Sequence, residues 1–180
     1  MSKLGGFIIG AIVLAIFIFL RVQKFTDNEP ASTGFVLENK IVLPGTPNKT
    51  YDAVTGDISG WWDHSFSESP QKLYIEARPG GGFYEIFDES GDGVLYARVT
   101  AAQRGRLLRF EGPLGLAGYA LNMVTTYDFK PQGADSTRLK VSVHASGEMQ
   151  KEWQEDVDRV WHHFLFERLL PYLSKKPPSG

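Results

Sequence analysis

A chain of 180 residues, 42% hydrophobic and 22% charged with a formal net charge of −2, has room for one domain with a substantial core and little more. It contains no cysteine, which excludes disulfides, thiolate metal sites and a cysteine nucleophile, and its body carries no Lys/Arg run of the kind a nucleic-acid partner requires. The aromatic share of 13% is high and serves either a dense core or the lining of an apolar pocket.

Residues 4–20 form an unbroken run of uncharged, mainly apolar residues between Lys3 and Arg21. As a helix this run spans roughly 25 Å, just under the hydrocarbon thickness of a bilayer. Lys3, Arg21 and Lys24 can reach the headgroups from its ends. Residues 1–25 therefore read as a transmembrane anchor, with Leu4, Phe7, Ile8, Ile12, Leu14, Phe17 and Leu20 as its lipid-facing body. The sequence after Leu20 offers no small-x-small cleavage site, which favours a retained anchor over a removed signal peptide. The flanking charges nearly balance, and the short basic N-terminus tips the expectation toward a single-pass protein with its domain on the extracytoplasmic side. Gly6 and Gly10 have the spacing that lets two membrane helices pair into a weak homodimer, although plain lipid-facing glycines are the simpler account. Residues 26–33 are polar and read as a linker, residues 34–174 as the folded domain, and residues 175–180 as a disordered tail.

Within the domain, residues 34–43 are β-rich and stop at Pro44-Gly45. Thr46-Pro47 is an N-cap followed by proline at the first helical position, predicting a short helix that fades at Gly56. A second short helical turn is expected around Ile58, Trp61 and Trp62. Alternating segments follow at 73–78, 83–88, 94–100, 107–111, 119–129 and 136–145, separated by glycine- or proline-containing turns. The tail changes period: Trp153, Val157, Val160, Trp161, Phe164, Leu165, Leu169, Leu170 and Leu173 fall at helical spacing. Acidic residues lead that segment and lysines follow it, as the helix dipole favours, and Pro171 is expected to kink or end its last turn. Hairpin connections make the sheet antiparallel, and the terminal helix is the one element long enough to cover its apolar face. The expectation is an α+β fold in which a curved antiparallel sheet wraps a long C-terminal helix and leaves a cavity between them.

Several short segments in this order resemble the SRPBCC, or START-like, helix-grip superfamily, and within it the Aha-type group named for activators of a heat-shock chaperone ATPase. They are Thr46-Pro-Asn-Lys-Thr-Tyr-Asp-Ala-Val54, Ile58-Ser-Gly-Trp-Trp62, Arg78-Pro-Gly-Gly-Gly-Phe83, Ser136-Thr-Arg-Leu139, and Trp153 with Trp161. The likeness covers about residues 36 to 173 and implies the helix-grip fold with a habit of binding hydrophobic ligands. It implies no catalytic residue. The apolar loop at 112–118 and the N-terminal anchor depart from the group's common pattern.

Candidate cavity residues are Trp61, Trp62, Phe83, Tyr96, Phe110, Met123, Tyr127, Trp161 and Leu165. The loop at 112–118 has no charged side chain and reads as a lip over the cavity mouth, a segment dipping into a bilayer, or an ordinary packed loop. Arg78, Glu85, Arg98, Arg109, Glu111 and Asp128 sit within strands and read as a salt-laced outer surface, the alternative being an Arg–acid pair inside the cavity. His162 and His163 are adjacent and point about 100° apart on a helix, and His64 and His144 have no partner at ligand spacing, so no metal site and no cofactor are expected. The leading reading is a membrane-anchored, non-catalytic module that binds a small apolar or amphipathic molecule. A polyketide cyclase-like enzyme and a chaperone or client interaction module are the alternatives.

Overall fold

The structure, a computed structural model, describes residues 34–175. The anchor, its pairing glycines, the linker and the tail beyond residue 175 lie outside the described residues. Among those described, no helix is long and apolar enough to cross a membrane.

Eight strands form one sheet: β1 (Gly34–Pro44), β2 (Gly56–Asp57), β3 (Lys72–Ile75), β4 (Gly82–Ile86), β5 (Gly93–Gln103), β6 (Leu107–Glu111), β7 (Leu121–Gly133) and β8 (Ser136–Gly147). A short helix α1 (Pro47–Ala53) follows β1, and a 3₁₀ turn (Leu114–Leu116) interrupts the connection from β6 to β7. The spatial order is β1-β8-β7-β6-β5-β4-β3-β2, every pair antiparallel. Hairpins connect the neighbours from β2 to β8, and β1 closes beside β8 with Gly34 opposite Ser146 and Pro44 opposite Ser136.

Strand alternation decides which face is covered. β7 turns Met123, Thr125, Tyr127 and Phe129 inward, and β8 does the same with Thr137, Leu139, Val141, Val143 and Ala145. Against this face lies the terminal helix. It begins as α2 (Trp153–His162), widens into a π-helical segment (His163–Leu169) and ends as α3 (Leu170–Ser174). Trp153, Trp161, Phe164, Leu165 and Leu169 are its buried side chains, each contributing about 1.5–3 kcal/mol by leaving water.

Residues 58–62 make the short helical turn expected there, with the Trp62 N–H donating to the Ile58 carbonyl at 2.9 Å. Three local expectations are corrected. β7 continues through Pro131 with a register irregularity there, where the sequence pattern ends it earlier. Pro171 does not end the helix, which runs on to Ser174. Pro171 has no N–H, and its ring would press on the carbonyl four residues back in a regular α-helix. The widened π turn just before it, with the Leu170 N–H donating to the Leu165 carbonyl, relieves that conflict. Finally, Glu85 is not on the outer surface but fully buried.

Candidate functional site

The sheet and α2 separate at one end, leaving a partly open cavity of about 670 Å³. Phe83 on β4, Val94 and Tyr96 on β5, and Met123 on β7 form its sheet wall. Trp153, Val157, Val160 and Trp161 on α2, with Phe164 beyond it, form the helix wall. The 3₁₀ turn closes one side through Leu114, Leu116 and their small neighbours, and the segment His64-Ser65-Phe66 closes the other.

Local chemistry explains each wall. Between β4 and β5 the register shifts, with Phe83 opposite Ala97 but Tyr84 opposite Leu95, so Tyr96 is the extra residue of a β-bulge. The bulge turns Tyr96 and Ala97 inward in succession. Gly112 sits where the loop leaves β6, and a Cβ there would lie 2.4 Å from the Tyr96 carbonyl oxygen, so only glycine lets the loop approach β5 this closely. Leu114 holds φ at 51°, the one non-glycine in the left-handed region among the described residues, and its side chain is buried against the core. Backbone strain of this kind is worth about 1–3 kcal/mol and persists where packing holds it.

Five of the nine candidate residues lie on the cavity wall: Trp62, Phe83, Tyr96, Met123 and Trp161. The other four, Trp61, Phe110, Tyr127 and Leu165, are not on it and lie packed in the core behind. Alternation and helical period show that all nine face inward but not which end of the interior is left unfilled. The Trp pair divides as its adjacent positions dictate. The Trp61 indole donates to the Ala53 carbonyl at 3.0 Å and is core, whereas Trp62 donates to the His64 carbonyl at 2.8 Å and stacks on Phe164 at a ring separation of 3.8 Å. The loop at 112–118 proves to be part of the wall. Phe66, Val94, Trp153, Val157, Val160 and Phe164 line the cavity without having been singled out. The helix pattern already placed four of these on one face, but Phe66 had no signal beyond being a large ring in a polar loop.

Polar groups gather at the rim. Glu85 reaches from β4 to the loop that carries Phe66. Its two oxygens accept the backbone N–H groups of Phe66 and Ser67 at 2.7 Å each, and the Tyr96 hydroxyl donates to it. Burial pushes the Glu85 carboxyl up, but the Tyr96 hydroxyl and the two N–H donors outweigh it and hold the carboxyl below its ordinary value. Burial and the neighbouring Glu85 push the Tyr96 phenol well above its ordinary value. Among the described residues, no arginine pairs with Glu85. Arg78 pairs with Glu76, Arg109 donates to Thr126, and Glu111 accepts from Asn122.

Beside this lies a second cluster that the sequence scattered. Asp63 and His64 follow Trp62, and the terminal helix brings His163, Glu167 and Arg168 to them. The ligand-type atoms of Asp63, His64 and His163 all lie within 4.8 Å of one another. His64, which has no partner in sequence, thus acquires two in space. Glu167, and then Asp63, hold the His163 imidazolium above the usual histidine range.

No family model matches the chain, and no curated protein matches it. Solved structures do. A crystal structure of a Mesorhizobium loti protein covers 79% of this chain and 98% of its own at a TM-score of 0.56 and 19% identity. A Chromobacterium violaceum protein covers 78% and 98% at a TM-score of 0.55 and 17% identity. The solution structure of the Aha1 dimer from Colwellia psychrerythraea covers 78% and 97% at a TM-score of 0.53 and 16% identity. At such identities the likeness is one of fold. The eight-stranded antiparallel sheet with its C-terminal helix fits an α+β helix-grip fold, and the similarity to these three structures is at that level.

Proposed function

We propose that this chain is a membrane-tethered module that holds a small apolar or amphipathic molecule in the space between sheet and α2. The observation that carries this reading is the cavity itself: about 670 Å³, walled by aromatic and aliphatic side chains, with polar groups confined to its rim. Sites for small ligands have volumes of roughly 300–1,000 Å³ and this same distribution of polarity. The Glu85–Tyr96 pair supports binding rather than acid–base chemistry, because both groups are engaged in holding the Phe66 loop.

The tether rests on the sequence of residues 4–20. Gly34 pairs with Ser146, and Leu121 with Gly147, so β1 begins at the end of the sheet where the loop from β6 to β7 returns. The sequence resemblance to the Aha-type group adds a habit of apolar ligand binding.

Fluorescence provides the test, since Trp62, Trp153 and Trp161 all stand on the wall. Titration with an aminonaphthalene probe should give saturable, one-to-one energy transfer from these indoles, reversed by fatty acid or lysolipid. A linear, non-saturating response would overturn the reading.

A further inference from the structure

We propose that Asp63, His64 and His163 form a binding site for one divalent transition-metal ion at the lip of the cavity, with zinc as the ion this donor set favours. Two imidazoles and one carboxylate are a common three-residue set for zinc, which leaves a fourth position free. The spacing fits. Asp63 Oδ1 is 3.0 Å from His64 Nδ1 and 3.1 Å from His163 Nε2, and the three ligand atoms fall within 4.8 Å of one another. Around a tetrahedral zinc with bonds of about 2.0–2.1 Å, neighbouring donors stand roughly 3.3 Å apart, so a slight opening of this triangle admits the ion.

The groups behind the triangle point to a ligand as well. Metal-binding histidines commonly turn their second nitrogen to a carboxylate, which fixes the ring, and His163 Nδ1 lies 2.9 Å from Glu167 Oε2. Ligating carboxylates are held from behind in the same way, and Arg168 Nε lies 3.1 Å from Asp63 Oδ2. Arg168 thus holds Oδ2, which His163 Nε2 also approaches at 2.9 Å, and leaves Oδ1, within 3.1 Å of both imidazoles, as the ligand atom. With both imidazoles neutral, Asp63, Glu167 and Arg168 sum to one negative charge, which favours a dication despite the guanidinium. His64 also lines the cavity, so the open position faces the mouth, where water or an anionic group can complete the shell. No sequence motif reveals the site, because Asp63 and His163 are a hundred residues apart and meet only when the terminal helix docks.

The full chain, without a polyhistidine tag, is stripped with chelator and titrated with cobalt(II) and then zinc. The expected result is one equivalent of cobalt with the intense visible absorption of a four- or five-coordinate site, displaced by zinc. His64→Ala and His163→Ala should each weaken binding at least tenfold, and Glu167→Gln by about 10–100-fold. Absence of a saturable cobalt spectrum, or retention of binding by a folded His64→Ala/His163→Ala double variant, overturns the proposal. If that variant does not fold, histidine ring NMR of the unaltered protein decides. Zinc should shift the His64 and His163 signals stoichiometrically and leave His144 and His162 in place, and any other pattern overturns it.

Discussion

With its carboxylate buried between Tyr96 and the N–H groups of Phe66 and Ser67, Glu85 fixes the position of the loop that forms one side of the rim. Charge-assisted bonds to backbone donors are worth about 1.5–3 kcal/mol each, and an amide NH2 in place of one carboxylate oxygen strands one of the two N–H groups. Glu85→Gln is expected to destabilise the domain by about 2–3 kcal/mol in urea unfolding at neutral pH. The acid dependence has a definite sign. The folded carboxyl lies below its ordinary value of 4.5, so its contribution is present above that pH and is lost as pH falls through the folded value. Between pH 5 and pH 3 the unaltered protein should therefore lose more stability than Glu85→Gln, and parallel curves would contradict this account. Phe66 offers the contrast. It is 77% exposed, stacks on Phe87, and stands on the cavity wall. Phe66→Ala should change stability by less than about 1 kcal/mol. If Phe66 gates the mouth, stopped-flow dilution will show faster probe release, whereas an unchanged rate would assign it no such part.

Among the elements, the connection from β6 to β7 depends most on one small residue. Gly112→Ala puts a methyl group 2.4 Å from the Tyr96 carbonyl oxygen and 2.6 Å from Ala97 Cα, both backbone atoms that cannot swing aside. The loop must lift from β5, and the expected cost is about 2–4 kcal/mol, together with weakened probe binding because Leu114 and Leu116 leave the wall. Retention of both stability and affinity would show the loop to be adaptable. Elements of this kind divide clearly by how far they can be read from sequence. Strands β3 to β8 follow from alternation and turn residues, and α1 from Thr46-Pro47, because those signals are local. The π segment is not visible, since the apolar spacing from Trp153 to Leu173 fits a uniform helix and the widening answers a conflict at Pro171. The Tyr96 bulge depends on a partner strand, and Glu85 looks like any other charged strand residue until the loop at 66–67 folds over it. The cavity is the hardest case. Trp61 and Trp62 are adjacent members of one turn, yet only the second meets open space.

At the scale of the molecule, a domain that leaves a partly open space of about 670 Å³ between sheet and helix forgoes packing that a solid core would supply, and an occupant returns it. Any molecule that binds only the folded state stabilises it by mass action, about 2.7 kcal/mol at a hundredfold excess over Kd. For a domain of this size each kcal/mol moves the melting temperature by roughly 2–4 °C, so saturation should raise Tm by about 5–11 °C. The same reasoning separates filling from binding. Val160 stands on α2 facing the cavity and is only partly buried, so Val160→Phe adds a ring where there is space for one. It should match or exceed the parent in ligand-free stability, unlike a ring forced into a packed core, which costs typically about 1–3 kcal/mol. It should also lose most of the ligand-induced rise in Tm. Calorimetry of both proteins with and without probe checks this directly. A destabilised Val160→Phe that still responds fully to ligand would mean that the wall closes up in solution and that the occupant binds elsewhere.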